Sequence, residues 1–371
     1  MNIMMNILDN AIHEPNILSS REDIKDFLGV YPLLSLSIRV TNNCNLKCIH
    51  CYSNAGFSYS KELTTKEILD IVRQAYNLGA FRIFFTGGEP FLRKDIIQIL
   101  GYAKSQRFTV YISTNGTLVT KDDLKEINTI GVDFFQVSID GPEEINDEIR
   151  GVSGAFQKAV TTLNQAKQFL NNTTIVMATV ILRENKQYIK ELYNLACKIK
   201  VDNFAVTPLH SVGRGKNIQP LSIEEIVKAI NDISHYYLLM SKNDEEVPQL
   251  VLMVPPKLIP NKIKDKKFGR GYICSIPHML AINSNGDIAP CDGLLEEAEW
   301  AIGNIRKETL YKAWGSSKMK YLRNIKTSEL IDECRNCDYK EWCMGGCRAN
   351  AYIKYHNWYM SDPLCHCKVL D

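Results

Sequence analysis

The sequence predicts an α/β protein in which six strand–helix units form a parallel sheet, followed by a small cysteine-rich region. Six runs rich in Val, Ile, Phe and Tyr alternate with helical patterns along the first 240 residues. Eight of the 12 cysteines then fall between Cys274 and Cys367. Apolar runs that alternate with helices are typical of strands buried on both faces, as in a parallel sheet.

The individual elements follow from periodicity and from helix start signals. The predicted strands are 34–40, 81–85, 108–113, 133–139, 174–181 and 202–207. The predicted helices are 64–78, 94–106, 121–130, 154–170, 186–199 and 222–240. Thr64 and Glu67 have the spacing of a capping box, and Ser222 precedes two glutamates, so both positions indicate helix starts. Six such units fit most of a barrel or an open doubly wound sheet, and the pattern alone allows both.

Polar and reactive residues follow each predicted strand directly. They are Cys44, Cys48 and Cys51, then 86–90 (TGGEP), 113–117 (STNGT), Ser138 with Asp140, Arg183, and finally His210 with Arg214. Because the carboxyl ends of parallel strands meet at one edge, these loops converge there. The sequence therefore predicts a functional site at that rim.

Composition limits the classes of protein and partner. The chain has 371 residues, 44 Lys and Arg against 42 Asp and Glu, and a net charge of +2. This balance argues against a strongly basic nucleic-acid coat or an acidic disordered tail. The amino terminus lacks a basic segment followed by an apolar stretch, and no apolar run approaches the roughly 18 residues that span a bilayer. We expect a cytoplasmic protein without a nucleic-acid or membrane partner.

The cysteines also suggest a division of the chain. We predict an N-terminal extension 1–35, a core 36–240, a Pro- and Lys-rich bridge 241–272 and a cysteine-rich domain 273–371. In a reducing compartment, clustered cysteines indicate metal or iron–sulfur ligation rather than disulfides. Cys197 stands apart inside a helical pattern, and we expect it to be a small buried apolar residue.

The first cysteine group has the spacing Cys44-x3-Cys48-x2-Cys51. Three thiolates on one short loop can hold three corners of a cubane iron–sulfur cluster. No fourth cysteine lies nearby, so one iron would remain open to an exogenous donor. The alternative is a structural zinc site that includes His50, although zinc ligands more often come in paired C-x2-C units.

Residues 44–51 (CNLKCIHC) resemble the CxxxCxΦC signature of the radical SAM superfamily, with His50 at the aromatic position. Residues 86–90 similarly resemble the GGEP motif of that family. The resemblance implies a partial (β/α)6 TIM-like barrel and a 4Fe–4S cluster on the three cysteines. In this family the open iron is chelated by S-adenosylmethionine, whose reductive cleavage gives a 5′-deoxyadenosyl radical that abstracts a substrate hydrogen.

The resemblance also implies contacts to S-adenosylmethionine. Gly87, Gly88 and Glu89 would contact its amino group, since paired glycines allow close backbone approach and a carboxylate accepts from an ammonium. Positions around its ribose and carboxylate are matched by Ser113, Asn115, Ser138, Asp140 and Arg150. For Asn115 a plain turn is the alternative. Tyr52 is expected either to pack on the adenine or to cover the cluster.

The second cysteine group occupies the carboxyl-terminal part of the chain. Its order is Cys274-x11-Gly286-x4-Cys291, then Cys334-x2-Cys337-x5-Cys343-x3-Cys347, then Cys365. Seven thiolates exceed one tetrahedral site and nearly fill two four-ligand sites, with two zinc knuckles as the alternative. The pattern resembles the SPASM domain, which carries auxiliary 4Fe–4S clusters, so the total implied is three clusters. The resemblance assigns Cys274, Cys291 and Cys347 to auxiliary cluster I, and Cys334, Cys337, Cys343 and Cys365 to auxiliary cluster II.

An eighth cysteine, present in some SPASM domains, is absent here. Auxiliary cluster I therefore has an open iron, or it takes a ligand such as Cys367, His278 or His366; an open iron could bind a substrate donor. A separate set of cationic residues (His210, Arg214 and Lys216) follows the sixth strand and could hold a carboxylate of S-adenosylmethionine or substrate. The alternative for that set is a solvated loop.

The resemblance covers residues 36–371 and implies a radical SAM oxidoreductase. Many SPASM enzymes form thioether or carbon–carbon cross-links in ribosomally made peptides, or oxidise a residue of a protein, and we expect such a substrate. The second hypothesis is a small-molecule enzyme such as a haem-pathway propionate decarboxylase, because 345–349 (GGCRA) and 362–365 (DPLC) also resemble those enzymes. A non-enzymatic iron–sulfur or zinc protein is a remote third.

Two kinds of partner follow from this family assignment. A flavodoxin or ferredoxin-type protein would supply electrons. About 35 residues precede the first strand, which is short for a leader-binding module of ~80 residues. We therefore expect leader recognition, where needed, to require a separate peptide-binding protein.

Overall fold

The computed structural model describes residues 32–57, 59, 61–243, 246–264 and 274–365. Cys367 and His366 lie outside the described residues, and so does the predicted N-terminal extension except for residues 32–35. Ten strands form one sheet: β1 Ser35–Arg39, β2 Arg82–Thr86, β3 Thr109–Thr114, β4 Phe134–Ser138, β5 Thr174–Ile181, β6 Asn203–Pro208, β7 Gln249–Leu252, β8 Met279–Ile282, β9 Asp287–Ala289 and β10 Gly303–Asn304.

Twelve α-helices connect or follow these strands in the described part of the chain. They are α1 Thr65–Asn77, α2 Ile96–Ser105, α3 Lys121–Ile130, α4 Glu143–Arg150, α5 Ala155–Phe169, α6 Ile189–Ile199, α7 Ile223–Asn243, α8 Asn261–Lys264, α9 Leu310–Trp314, α10 Ser317–Arg323, α11 Lys340–Cys343 and α12 Arg348–Tyr355. None of these helices is both long enough and apolar enough to cross a bilayer.

The sheet order decides between the two architectures that the pattern allowed. Strands β1 to β7 follow one another in sequence order, each parallel to its neighbour. A doubly wound sheet would reverse direction at a switch point, whereas a barrel winds in one direction. The partial (β/α)6 barrel is therefore confirmed, with β7 as an additional strand at its open edge.

The two faces of the barrel strands differ in packing. Ile83 and Phe85 of β2 point outward and are fully buried beneath the helices, whereas Phe84 and Thr86 point inward and are only half-buried. The same alternation recurs in β3 and β4. Because side chains alternate along a strand, the outer face forms the core and the inner face lines an open interior.

Local capping explains why several predicted helix starts agree with the structure. Thr64 caps α1 and accepts a hydrogen bond from the Glu67 amide, while the Glu67 side chain accepts from the Thr64 amide. Thr120 and Asp123 form the same reciprocal arrangement at α3. Each box satisfies two amides that would otherwise lack helical partners.

Three parts of the fold were not predicted. Helix α4 has the sequence EEINDEIR, whose few apolar positions give little periodic signal. Strand β7 lies in the segment that the sequence predicted only as a bridge. Strands β8 to β10 extend the barrel sheet, because β8 pairs in parallel with β1 on the side away from β2.

Candidate functional site

The barrel interior and its rim form a cavity of about 1510 Å³. The carboxyl ends of the strands supply most of its polar lining, as the loop positions predicted. Among the predicted site residues, those in the lining are Cys44, Cys48, Cys51, Tyr52, Gly87, Gly88, Ser113, Asn115, Ser138, Asp140, Arg150, His210 and Arg214. Glu89 and Lys216 do not line it.

The three rim cysteines lie on the loop that follows β1. Their side chains pack together with Leu46 and Ala155 in a small apolar cluster. Burial, followed by the nearby Cys48 and Cys51, raises the pKa of Cys44 to about 11. Three thiols on one loop, facing one cavity, have the donor set that three irons of a cubane need.

The loop is held by backbone contacts to α4. The Lys47 amide donates to the Arg150 carbonyl at 3.0 Å, and the Ile49 amide donates to the Ile149 carbonyl at 2.9 Å. The Arg150 guanidinium lies 3.8 Å from the Cys48 sulfur. Burial raises the pKa of Cys48, and the positive charge of Arg150 opposes that effect.

Asp140 is the centre of a buried polar group behind the cysteine loop. Its carboxylate lies 2.5 Å from Arg150 and 3.3 Å from His50 Nε2, and it accepts from the Val180 amide at 2.9 Å. Although burial acts to raise it, Arg150 and His50 hold the pKa of Asp140 below its usual value. Burial lowers the pKa of His50 to about 4. His50 is therefore a neutral ring, and its Nε2 faces the Asp140 carboxylate.

Arg214 braces the cysteine loop from the sixth strand–helix connection. Its side chain donates to the Cys48 carbonyl at 2.8 Å and to the Ala55 carbonyl at 2.5 Å, and its amide donates to the Cys51 carbonyl. The preceding Gly213 has φ +55°, and a Cβ there would lie 2.5 Å from the Cys51 carbonyl oxygen. Arg214 thus binds protein backbone, which is a different role from the predicted contact to a carboxylate.

The Gly87-Gly88 pair lies against the backbone that leads into the cysteine loop. A Cβ on Gly88 would lie 2.0 Å from the Asn43 carbonyl oxygen, and the Gly88 amide donates to the Thr41 carbonyl at 2.8 Å. The glycines therefore allow two loops to meet without side chains between them.

Glu89 lies directly behind the glycine pair and is fully buried. Its carboxylate accepts from the Thr114 hydroxyl at 2.7 Å, the Asn115 amide at 2.8 Å and the Phe91 amide at 3.0 Å. Burial raises the pKa of Glu89, and these hydrogen bonds oppose the shift. The observed role of Glu89 is to join the second and third strand loops.

Two further predicted contacts have defined partners. The side-chain nitrogen Nδ2 of Asn115 lies 4.0 Å from the Cys44 sulfur and 2.9 Å from the Asn45 side-chain oxygen. The Tyr52 hydroxyl hydrogen-bonds the Thr86 hydroxyl at 2.9 Å. Both residues therefore stand beside the cysteine loop.

Six cysteines of the carboxyl-terminal region lie in two sets of neighbouring thiols. In the first group burial raises the pKa of Cys291, and the nearby Cys274 raises it further. The pKa of Cys347 is also raised, mainly by burial and then by the charges of Asp362, Cys274 and Cys291. The three thiols are thus close enough to interact.

The second group contains Cys334, Cys337 and Cys343. Burial, followed by the nearby Cys337, raises the pKa of Cys334 to about 11. Burial, followed by the nearby Cys334, raises the pKa of Cys343 to about 12. The amide of Cys365 donates to the carbonyl of Asp362, whose carboxylate acts on both groups. Among residues 32–365 that are described, no three His, Cys, Asp or Glu side chains are grouped to hold a single metal ion.

The loop after β6 contacts the cysteine-rich region. His210 Nδ1 lies 3.1 Å from the Asn350 side-chain oxygen on α12, and Lys216 pairs with Glu297 at 2.6 Å. Arg183, after β5, lies 3.5 Å from Glu225. His210 therefore binds a protein group near the rim, whereas Lys216 and Arg183 are exposed side chains in surface ion pairs.

An aromatic row inside the barrel, which the sequence analysis did not predict, is formed by Phe84, Tyr111 and Phe134. The ring centroids of Phe84 and Tyr111 are 4.5 Å apart, and those of Tyr111 and Phe134 are 4.0 Å apart with nearly parallel planes. Each residue is half-buried and lines the cavity. In β2, Phe84 precedes Thr86 by two residues, so the row lies about 7 Å deeper in the barrel than the end of that strand.

Comparison with known families identifies the class of protein. The family model described as the radical SAM superfamily matches residues 38–196, and the SPASM iron–sulfur cluster-binding domain matches residues 274–338. An AdoMet-dependent heme synthase of Oleidesulfovibrio alaskensis is 30% identical over 351 residues, which cover 88% of this chain and 85% of that protein. The chain belongs to the radical SAM superfamily and carries a SPASM domain.

Two further proteins are also similar to this chain. A Fe-coproporphyrin III synthase of Methanosarcina barkeri is 27% identical over 347 residues, covering 88% of this chain and 86% of that protein. The structure of Streptococcus suis SuiB bound to its precursor peptide SuiA has a TM-score of 0.73 and 21% identity, and covers 94% of this chain and 79% of that chain. At that identity the likeness to SuiB shows the fold alone.

Proposed function

We propose that this radical SAM enzyme binds a 4Fe–4S cluster on Cys44, Cys48 and Cys51 and removes hydrogen from a substrate held in the barrel. The observation that carries the proposal is that the three thiols and the aromatic row line the same cavity. When bound, the reduced cluster and S-adenosylmethionine supply a 5′-deoxyadenosyl radical. Two auxiliary clusters on the SPASM cysteines belong to the same proposal.

The residues of the chain prepare this chamber in three ways. Arg150 and Asn115 place polar N–H groups beside the cysteine sulfurs, which favours the thiolate form. Glu89 and Arg214 fix the loops that carry the site. The covered barrel wall limits the access of water to a reactive radical.

We propose a peptide as the substrate. The wall of the cavity contains hydroxyl, amide and aromatic side chains. Its Lys and Arg side chains have protein partners: Arg150, Lys167 and Lys200 pair with Asp140, Asp202 and Glu246, Arg214 donates to backbone carbonyls, and Arg82 lies over the Phe81 ring. A wall whose cations already have partners, and which also offers apolar and hydrogen-bonding groups, suits a peptide segment better than a ligand with several carboxylates.

A tetrapyrrole carboxylate is the second candidate. It is favoured by the sequence relatives, whose names refer to haem or coproporphyrin synthesis and which match most of this chain. The reaction would transfer one hydrogen atom from the propionate side chain to the 5′-deoxyadenosyl radical. The substrate radical would then lose carbon dioxide and pass one electron to an auxiliary cluster, which leaves a vinyl group; the second hydrogen lost is the carboxyl proton, released to solvent.

Cluster binding is tested by anaerobic reconstitution, followed by iron and sulfide analysis and a dithionite-driven assay of S-adenosylmethionine cleavage. About twelve irons per chain are expected. Replacement of Cys44, Cys48 or Cys51 with Ala should lower the iron content by about four atoms per chain and abolish 5′-deoxyadenosine formation. Cys197→Ala, in α6 and far from the rim, is the matched control. Zinc in place of iron, with intact S-adenosylmethionine, would overturn the proposal.

The substrate is tested by incubation with the precursor peptide encoded beside the gene and, separately, with Fe-coproporphyrin III. Mass spectrometry should show a loss of two hydrogens per peptide cross-link. Loss of carbon dioxide and two hydrogens from the porphyrin would instead select the second candidate. Unchanged peptides with modified porphyrin would refute the peptide hypothesis.

A further inference from the structure

Arg39 ends β1, and only 1% of its side chain is exposed. Its Nη1 lies 2.5 Å from a Glu296 carboxylate oxygen, and its Nη2 donates to the Asp292 carbonyl at 3.0 Å. The Asp292 carboxylate lies 3.6 Å from Nε. A buried charge is costly unless it is paired, so this guanidinium depends on both partners.

The same guanidinium also contacts the cysteine loop of the core. It lies over the Tyr52 ring, 5.0 Å from the ring centroid. Tyr52 directly follows Cys51, and Asp292 directly follows Cys291. One buried side chain therefore touches the neighbour of a core cysteine and the neighbour of an auxiliary cysteine.

Arginine is suited to this position because its planar fork can meet several partners at once. It pairs with a carboxylate, donates to a carbonyl and stacks on an aromatic ring, whereas a lysine ammonium is a point charge on a flexible stem. The three contacts come from two segments, 292–296 and the loop that contains Tyr52, and the guanidinium holds both of them against the end of β1.

We propose that Arg39 is a positioning residue that couples the loop of Cys51 to the loop of Cys291 and sets the reduction potential of auxiliary cluster I. The inference rests on the proposed clusters. Its charge, together with those of Asp292 and Glu296, forms a fixed electrostatic environment beside the auxiliary thiols. Reduction adds negative charge to a cluster, so a nearby cation favours reduction and nearby anions oppose it.

The test measures midpoint potentials in a background where Cys44, Cys48 and Cys51 are Ala, so that only auxiliary clusters remain. Arg39→Met leaves the carboxylates uncompensated and should shift the potential of cluster I to more negative values. Glu296→Gln removes one negative charge and should shift it to more positive values. A merely structural role would not produce shifts of opposite sign.

Arg306→Met is the matched control. Arg306 also joins the carboxyl-terminal region to the core, through Glu67 at 2.5 Å and the Glu62 carbonyl at 3.0 Å, but it contacts no cysteine loop. The midpoint potential of auxiliary cluster I in Arg306→Met should equal that of the background protein. Arg39→Lys, which keeps the charge and loses the fork, should retain the potential in part and alter the EPR line shape.

Equal potentials in Arg39→Met and the background, at full iron content, would overturn the inference. If Arg39→Met does not take up iron, Glu296→Gln decides alone: a positive shift supports the inference and an unchanged potential refutes it. Failure of the wild-type chain to bind any iron would refute the proposed function, which is a separate result.

Discussion

The Arg150 guanidinium lies 2.5 Å from the Asp140 carboxylate, and neither side chain reaches solvent to any large extent. The pair connects α4 to the end of β4. Among the described contacts, Arg150 is the one side chain of α4 that donates to a cysteine sulfur, that of Cys48. An ion pair in this position fixes the wall against which the Cys48 thiol rests.

We predict that Asp140→Asn lowers the free energy of unfolding by about 3–5 kcal/mol, because it leaves the buried Arg150 without its counter-charge. Anaerobic urea unfolding would measure the loss. Asp122→Asn removes an exposed ion pair with Lys125 and should leave the transition unchanged. Equal stability of both variants would contradict the importance assigned to this buried pair.

Glu89→Gln should lower the free energy of unfolding by about 1–3 kcal/mol. The glutamine amide would present N–H groups to the Asn115 amide, which now donates to the carboxylate. If Glu89 also contacts the ammonium of S-adenosylmethionine, equilibrium dialysis should show at least a tenfold weaker affinity, or about 1.4 kcal/mol. Thr114→Ser, which keeps the hydroxyl donor, is the control; wild-type stability and affinity in Glu89→Gln would refute both roles.

Gly88→Ala should prevent the correct joining of the cysteine loop to the second strand loop, because its Cβ would overlap the Asn43 carbonyl oxygen. Gly101→Ala in α2 is the matched control, since a Cβ there meets only the Ile130 side chain at 3.8 Å. We expect Gly88→Ala to lose iron on reconstitution and Gly101→Ala to keep it. Full iron content in Gly88→Ala would show that the loops can separate without loss of the site.

Phe134→Leu should uncouple radical formation from substrate modification. The variant loses an inward ring of the aromatic row, while the contacts of the cysteine loop remain, so 5′-deoxyadenosine should still form. Modified product per 5′-deoxyadenosine should fall roughly fivefold, in keeping with about 1 kcal/mol for an aromatic contact. Phe135→Leu, on the outer face of the same strand, should lower stability without uncoupling. Equal coupling in the two variants would remove the aromatic row from the substrate site.

The Glu67–Arg306 pair predicts a pH dependence of stability. The hydrogen bond from Arg306 lowers the pKa of Glu67 to about 2, below its ordinary value of 4.5. A carboxyl whose folded pKa is depressed stabilises the protein above the unfolded pKa and loses this effect as pH falls through the folded value. Glu67→Gln should therefore cost about 1 kcal/mol or less at neutral pH, after solvent screening. The difference from wild type should shrink between about pH 4.5 and pH 2, and a difference that persists at pH 2 would contradict it.

Much of the barrel could be predicted because its information is local. Runs of β-branched and aromatic residues, and caps such as Thr64 with Glu67, place strands and helices to within three residues. The three rim cysteines are close in sequence, so their common loop was also predictable. The pairing of β8 with β1 joins residues more than 200 positions apart, and no local pattern encodes it.

The interior of the site was harder to predict for a different reason. Phe84 and Phe85 are neighbours of the same type, and one lines the cavity while the other is core. Sequence alternation shows that two faces exist but does not say which one is the inside. Arg39 was missed similarly, since a charged residue at a strand end gives no sign of burial before its partners at 292 and 296 are placed beside it.

The position of β1 between β2 and β8 has a consequence for any attempt to divide the chain. The first strand of the barrel is also an inner strand of the extended sheet, and its second edge is covered only by the region beyond the bridge. Truncation before residue 273 would leave a row of unpaired amides and carbonyls on an apolar strand, which is a template for intermolecular β-pairing. A shortened core should therefore self-associate, and the cysteine-rich part acts as the protective cover of the barrel that precedes it.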